Sequence, residues 1–186
     1  MIHKHENKVN FREYILGGQD GLVNVLGIVL GVASATLSVN IVLIAGIVAT
    51  IAESVSMAAV AYTSSKATKE YEQSLIREDK KNISKIKEHT ILLREFENPL
   101  KSGWVVGIST LLGSLVPLVP FFFLEVKTGI VISLVFSAII LFIVGALKAK
   151  LSIGSWSKSG FQLMVIGIIA AVIGYLVGLL LKGLGL

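Results

Sequence analysis

The chain has 186 residues, of which 54% are hydrophobic and 16% are charged, and its mean hydropathy is +0.81. Soluble globular domains carry about 25% charged residues, so this composition indicates a membrane protein. The chain contains no cysteine, which excludes disulfides, cysteine-ligated metal centres and thiol nucleophiles. The formal charge is +5, and in such an apolar chain an excess of basic residues indicates that they lie at one face of the membrane. We therefore expect no nucleic-acid partner.

Five apolar stretches are long enough to cross about 30 Å of hydrocarbon, which takes roughly 20 helical residues. They comprise residues 14–37, 39–63, 103–124, 128–147 and 161–181. We therefore predict an all-α, polytopic membrane protein with five transmembrane helices in a single transmembrane domain, residues 1–186. The first stretch is too long for a signal peptide and precedes no small-residue cleavage site, so we expect no removed leader.

The basic residues predict the orientation of these spans. Fifteen of the 17 Lys and Arg residues lie in the N-terminus, between spans two and three, or after span four. Because positive loops stay cytoplasmic, we predict a cytoplasmic N-terminus and a C-terminus outside, in the plasma (inner) membrane of a prokaryote.

Residues 64–98 predict a cytoplasmic helical segment between spans two and three. They mix eight basic with seven acidic side chains, and three interpretations remain open. The charges could form a solvated face with i, i+4 ion pairs, or the basic helix could bind anionic lipid or a protein partner. Alternatively, acidic residues could collect a divalent cation, and the candidates are Glu70, Glu72, Glu78 and Asp79.

Asp20 and Glu53 are the only charged residues within the predicted spans. A charged side chain at the centre of a membrane helix costs about 2.5–3.5 kcal/mol on insertion scales, so such residues usually face a partner, water or a substrate. Asn24 follows Asp20 by one helical turn, and Met57 follows Glu53 by one turn. At 1.5 Å per residue, the four residues converge in the inner half of the membrane.

These four side chains predict a metal site. Carboxylate and amide oxygens are hard ligands and a thioether is soft, a mixture that suits Fe²⁺ or Mn²⁺ better than Ca²⁺ or Mg²⁺. Each residue also has a structural explanation. Asp20 could cap a helix N-terminus, Glu53 could be a protonated packing residue bonded to a hydroxyl, and Met57 could fill a gap.

Small residues follow Asp20 along the same helical stripe, at Gly27, Gly31 and Ser34. Such stripes allow backbones to approach closely, so we predict that two subunits meet through span one. Pro117 and Pro120 are expected to kink the end of span three. The Gly174 and Gly178 pair is expected to pack helices.

The same regions resemble the vacuolar iron transporter family. The resemblance lies in residues 17–35 (GGQDGLVNVLGIVLGVASA) and residues 56–67 (SMAAVAYTSSKA). It implies a five-span homodimer in which the first spans line the path and Fe²⁺ or Mn²⁺ leaves the cytosol in exchange for protons. The family's aspartate in the DG motif maps onto Asp20, and the methionine of its SM motif maps onto Met57.

Two features of this chain depart from that family. Members tend to have a small residue where Glu53 stands, and any span-two glutamate lies one turn earlier, where this chain has Ala49. Eukaryotic members also carry a longer, glutamate-rich cytoplasmic domain, whereas residues 64–98 are shorter and balanced by lysine.

The resulting prediction is a homodimeric exporter of Fe²⁺ or Mn²⁺ that works by proton antiport, with metal ion, protons, membrane lipid and a second subunit as partners. The alternatives are a passive or differently selective cation pathway, and a non-transporting scaffold that binds lipid or protein through residues 64–98. An enzyme is not expected, because the sequence shows no catalytic triad, phosphate-binding loop or H-E-x-x-H motif. No cofactor is expected beside the transported metal.

Overall fold

The computed structural model describes residues 2–78, 98–151 and 154–185, with side chains described in 11–77, 98–149 and 154–185. These ranges hold α-helices and one 3₁₀ helix but no strand, which confirms the all-α class. In chain order the elements are α1 (Ile2–Ala35), α2 (Val39–Glu78), α3 (Pro99–Leu115), the 3₁₀ helix η1 (Val116–Phe122), α4 (Val126–Leu151) and α5 (Trp156–Gly183).

The described residues contain five helices that are long and apolar enough to cross a membrane, as predicted. Two helices extend beyond the predicted spans. α1 already begins at Ile2, so Asp20 lies well inside it and is not a helix cap. α2 continues beyond residue 63 to Glu78, because the sequence has no glycine or proline between Gly46 and Pro99 to end it. The rest of the predicted segment 64–98, from residue 79 to 97, lies outside the described residues.

α1 is the central helix of the described residues, since it packs against each of the four other α-helices in them. α3 lies against both α1 and α2, and α4 pairs with α5. One core cluster fills the space between α1, α2 and η1, and includes Val25, Val29, Val42, Leu118 and Phe121, each at most 1% exposed. This packing fixes the rotation of α1 about its own axis, and therefore the direction of its polar face.

Glycines bring α1 and α5 into close contact. A Cβ atom at Gly31 would lie 2.9 Å from the Gly174 carbonyl oxygen, and one at Gly178 would collide with the Gly31 carbonyl oxygen. The Ser34 hydroxyl donates a hydrogen bond to the Tyr175 carbonyl oxygen at 2.8 Å. Helix packing by Gly174 and Gly178 is thus confirmed.

The same contact involves the stripe that was predicted to pack helices or subunits. Gly27 also lies against α5, where a Cβ would be 3.4 Å from the Ala170 carbonyl oxygen. Gly27, Gly31 and Ser34 therefore pack α1 against α5 within the subunit. Their predicted role between two subunits stays a prediction.

The end of α3 changes to the 3₁₀ helix η1, which contains both Pro117 and Pro120. Proline has no backbone N–H, so Pro120 cannot donate the i to i−3 hydrogen bond to the Pro117 carbonyl oxygen. The Ser133 hydroxyl of α4 donates to that oxygen instead, at 2.7 Å. A side chain from a neighbouring helix therefore stabilises the proline-containing end of the third span.

Candidate metal site

The predicted site residues of α1 and α2 do come together. The amide Nδ2 of Asn24 donates a hydrogen bond to Glu53 Oε1 at 2.8 Å. The carboxyl group of Asp20 is also close enough to Glu53 for an electrostatic interaction and a side-chain hydrogen bond. Three polar side chains from two helices thus form one group inside the membrane-spanning part of the bundle.

Met57 lies at the level of Asp20. α1 and α2 are antiparallel because only residues 36–38 separate them. The hydrogen bond from Asn24 to Glu53 sets the register of the two helices. Asp20 lies one turn before Asn24 on α1, and Met57 lies one turn after Glu53 on α2. Both residues are therefore at the same depth. Met57 is partly buried, and its thioether lies on the Glu53 face of α2.

Close packing of α1 on α3 holds the site residues in place. A Cβ at Gly17 would lie 2.9 Å from Thr110 Oγ1, and a Cβ at Gly113 would collide with the Gly18 backbone. Glycines of α1 thus contact α3, while Asn24 donates to Glu53 of α2 and Asp20 interacts with the same carboxylate. The two neighbouring helices together position the site residues of α1.

The site lies on the exposed surface of the single subunit. Asn24 is exposed, and Asp20, Glu53 and Met57 are partly exposed. Ile28, one turn beyond Asn24, is 44% exposed. An amide and two carboxyl groups in contact with lipid would be costly, so this face requires water or a second protein surface.

One subunit offers four possible donor groups at this position. Among the described residues, no three His, Asp or Glu side chains are grouped closely enough to hold a metal ion. The two carboxylates, the free Oδ1 of Asn24 and the Met57 sulfur are the donors available at this site. A symmetric second copy would double each of them.

Two of the predicted cytoplasmic metal-collecting residues, Glu70 and Glu72, have described side chains, and these two lie on different sides of α2. Glu70 is exposed and lies 3.9 Å from Lys66 as an i, i+4 ion pair. Glu72 is 8% exposed and takes part in another interaction, on a different side of α2. The Glu78 side chain and Asp79 lie outside the described side chains, so a collecting role for these four residues stays a prediction.

One polar network was not predicted from the sequence. Ser65 donates to Ser102 Oγ at 3.1 Å, and the Ser102 hydroxyl donates to a carboxylate oxygen of Glu13. Both serines are buried, and the three residues join α2, α3 and α1. The available signal was the seven-residue spacing from Glu13 to Asp20, which keeps both on one side of α1.

Five membrane-spanning helices with an acidic pair across the first two define a polytopic membrane protein with an intramembrane polar site. The sequence profile of the VIT family matches residues 11–93 and 85–179. The chain therefore belongs to the VIT family, and the predicted resemblance is confirmed.

Individual relatives extend this comparison. Uncharacterized protein MJ0645 of Methanocaldococcus jannaschii is 31% identical over 176 residues, covering 93% of this chain and 90% of that protein. Protein CCC1 of Saccharomyces cerevisiae is 42% identical over 79 residues, covering 39% of this chain and 24% of that protein. Vacuolar iron transporter 1 of Eucalyptus grandis is 26% identical over 207 residues, covering 88% of this chain and 83% of that protein.

Proposed function

We propose that this protein exports a divalent transition metal, Fe²⁺ or Mn²⁺, from the cytoplasm through a dimeric path lined by α1 and α2. Membership of the VIT family and similarity to a vacuolar iron transporter support metal transport. The basic residues support a cytoplasmic N-terminus. In a prokaryote, the plasma membrane is then the membrane across which metal leaves.

The observation that carries the proposal is the group of Asp20, Asn24 and Glu53 on an open face of the subunit. A second copy placed against this face would remove the polar groups from lipid. It would also bring two carboxylates from each subunit to one axis. The interface in this proposal uses the exposed part of α1 around Asn24 and Ile28, because Gly27 and Gly31 further along the helix contact α5.

The four donors have distinct roles. The Asp20 and Glu53 carboxylates supply the charge that a divalent cation needs when it loses its water. Asn24 binds Glu53 through Nδ2, which leaves its Oδ1 as a neutral metal ligand. The Met57 thioether favours a softer cation and so disfavours Ca²⁺ and Mg²⁺.

Proton antiport follows from the role of carboxylates as metal ligands. A ligating carboxylate must be deprotonated, so metal binding releases protons. Protons that arrive from outside compete for the same oxygens and release the metal there. An inward proton gradient then drives metal outward.

The test is uptake of Fe²⁺, Mn²⁺, Co²⁺, Zn²⁺ and Ca²⁺ into proteoliposomes, with a pH-sensitive dye inside and the membrane potential clamped. We expect Fe²⁺ and Mn²⁺ to enter with proton movement in the opposite direction. Glu53→Gln should abolish both fluxes, whereas Glu125→Gln, which changes an exposed carboxylate in the loop before α4, should leave both intact. Metal flux without proton movement would instead support the passive pathway, and no flux of any cation would support the scaffold.

A further inference from the structure

A cleft of about 410 Å³ lies where the polar end of α2 meets the start of α3. None of the four residues of the candidate metal site lines it, so the cleft is separate from the proposed transport path. Its polar lining consists of Tyr62, Lys66, Lys69, Glu70 and Gln73 of α2 and of Asn98, which directly precedes α3.

The cleft lies at the level where both helices leave the membrane. α2 carries no charged residue between Glu53 and Lys66, and α3 carries none after Lys101. The Ser65 hydroxyl donates a hydrogen bond to Ser102 Oγ at 3.1 Å. Because each serine is adjacent to one of these lysines, the two apolar stretches end at the same level, and the cleft is at the membrane surface.

The charges of the cleft favour an anion. Its lining contains two lysines and one glutamate, Lys66, Lys69 and Glu70. Lys66 Nζ lies 3.9 Å from the Glu70 carboxylate, and both side chains are more than half exposed. An exposed ion pair of this kind contributes little free energy, so it leaves Lys66 able to bind another anion. The amide groups of Gln73 and Asn98 add neutral hydrogen-bond donors.

The start of α3 adds a second attraction for an anion at the same place. Within the described range 98–151, the Asn98 side chain makes no capping hydrogen bond to the first turn of α3. The first backbone N–H groups of a helix carry partial positive charge, which favours an anion near the N-terminus. This contribution supports the two lysines and does not define the site by itself.

An exposed apolar strip of α3 continues from the cleft into the membrane-spanning part. Leu100 lines the cleft and is 66% exposed, and Trp104 and Ile108 follow at intervals of one turn, 70% and 49% exposed. Residues four apart lie on the same side of a helix. A different side of α3 contacts α2, where a Cβ at Gly103 would lie 3.0 Å from the Ala58 carbonyl oxygen. The surface therefore combines a cationic cleft with an apolar strip directly below it.

We propose that this cleft binds the phosphate headgroup of an anionic phospholipid, such as phosphatidylglycerol. Lys66 and Lys69 bind the phosphate oxygens, and the acyl chains lie along Leu100, Trp104 and Ile108. Basic pockets between membrane helices are known to take anionic headgroups in this way. A free phosphate ion would use the lysines but not the apolar strip, which favours the lipid. The site is independent of the proposed metal transport.

Tryptophan fluorescence in bilayers measures lipid binding at the strip, because Trp104 and Trp156 are the two tryptophans of the chain. The full-length Trp156→Phe variant is reconstituted in phosphatidylcholine with increasing phosphatidylglycerol, and either lipid carries bromine, a fluorescence quencher, on its acyl chains. We expect Trp104 to show a preference for phosphatidylglycerol of about 5-fold, as for one net positive charge near an anionic lipid. Lys66→Gln with Lys69→Gln should remove this preference. Glu70→Gln should increase it, because the opposing carboxylate is lost.

Lys148→Gln with Lys158→Gln is the matched control. Both side chains are exposed, on α4 and α5 and outside the cleft, so the net charge changes equally while the preference at Trp104 should persist. A preference that both lysine pairs reduce equally would indicate general attraction to the membrane surface and overturn the proposal. Equal quenching by the two brominated lipids would also overturn it.

An excess of inorganic phosphate at constant ionic strength distinguishes the two sources of a phosphate group. The preference for phosphatidylglycerol should survive this addition, since the acyl chains remain bound along α3. Loss of the preference would show that the cleft takes a free phosphate ion, and the lipid site would be excluded.

Discussion

Asn24 holds Glu53 across the α1 and α2 contact, with 2.8 Å between the amide nitrogen and the carboxylate oxygen. The bond restricts the rotamers of Glu53, whose carboxylate also interacts with Asp20. Asn24 therefore orients the Glu53 carboxylate from the neighbouring helix.

Asn24→Ala should raise the KM for metal uptake about 10-fold or more, because a hydrogen bond to a charged group contributes about 1.5–3 kcal/mol. The maximal rate should change less, since both carboxylates remain. Initial rates of Mn²⁺ uptake into proteoliposomes give both values. Ile139→Ala, at an exposed position of α4, is the control, and an unchanged KM for Asn24→Ala would show that the bond does not position Glu53.

Asp20→Ala and Glu53→Ala should each abolish transport while the protein stays folded. Each change removes a charged ligand, yet an alanine is well tolerated in a membrane helix. Metal uptake, with size-exclusion chromatography of the same preparations, separates loss of the site from loss of the fold. Transport at the native rate in either variant would exclude that carboxylate from the site.

Met57→Leu should change the choice of metal more than the stability. Leucine conserves the volume and apolar character of methionine but cannot ligate a metal. We expect the ratio of Fe²⁺ to Ca²⁺ uptake to fall with little change in Tm. If this ratio stays the same, Met57 serves packing alone.

Gly31→Leu should destabilise the subunit itself. A side chain at this position would meet the Gly174 backbone of α5, and overpacking of this kind costs about 1–3 kcal/mol. Denaturant unfolding in detergent should show the loss, whereas Gly183→Leu, at a position with no neighbour within 4 Å, should show none. A weakened dimer with unchanged subunit stability would instead restore Gly31 to the subunit interface.

The five spans and the meeting of Asp20 with Glu53 could be predicted, because both follow from helix periodicity and the length of apolar stretches. The partner of the Gly31 stripe could not be predicted in the same way. A small-residue face allows close approach to any helix, and its sequence does not distinguish a neighbour in the same chain from one in a second copy. The continuation of α2 past residue 63 as one helix was also not predicted, since polarity marks the membrane surface and not the end of a helix.

The glycines of α1 contact two different helices in succession. Gly17, Gly18 and Gly21 face α3, while Gly27 and Gly31 face α5, and Asn24 lies midway between these two groups. One inserted residue in this interval would turn the second group by about 100° relative to the first, so both contacts could not form together. The number of residues between Gly21 and Gly27 is thus as constrained as their identity, and natural variation in length should be absent from this part of the chain.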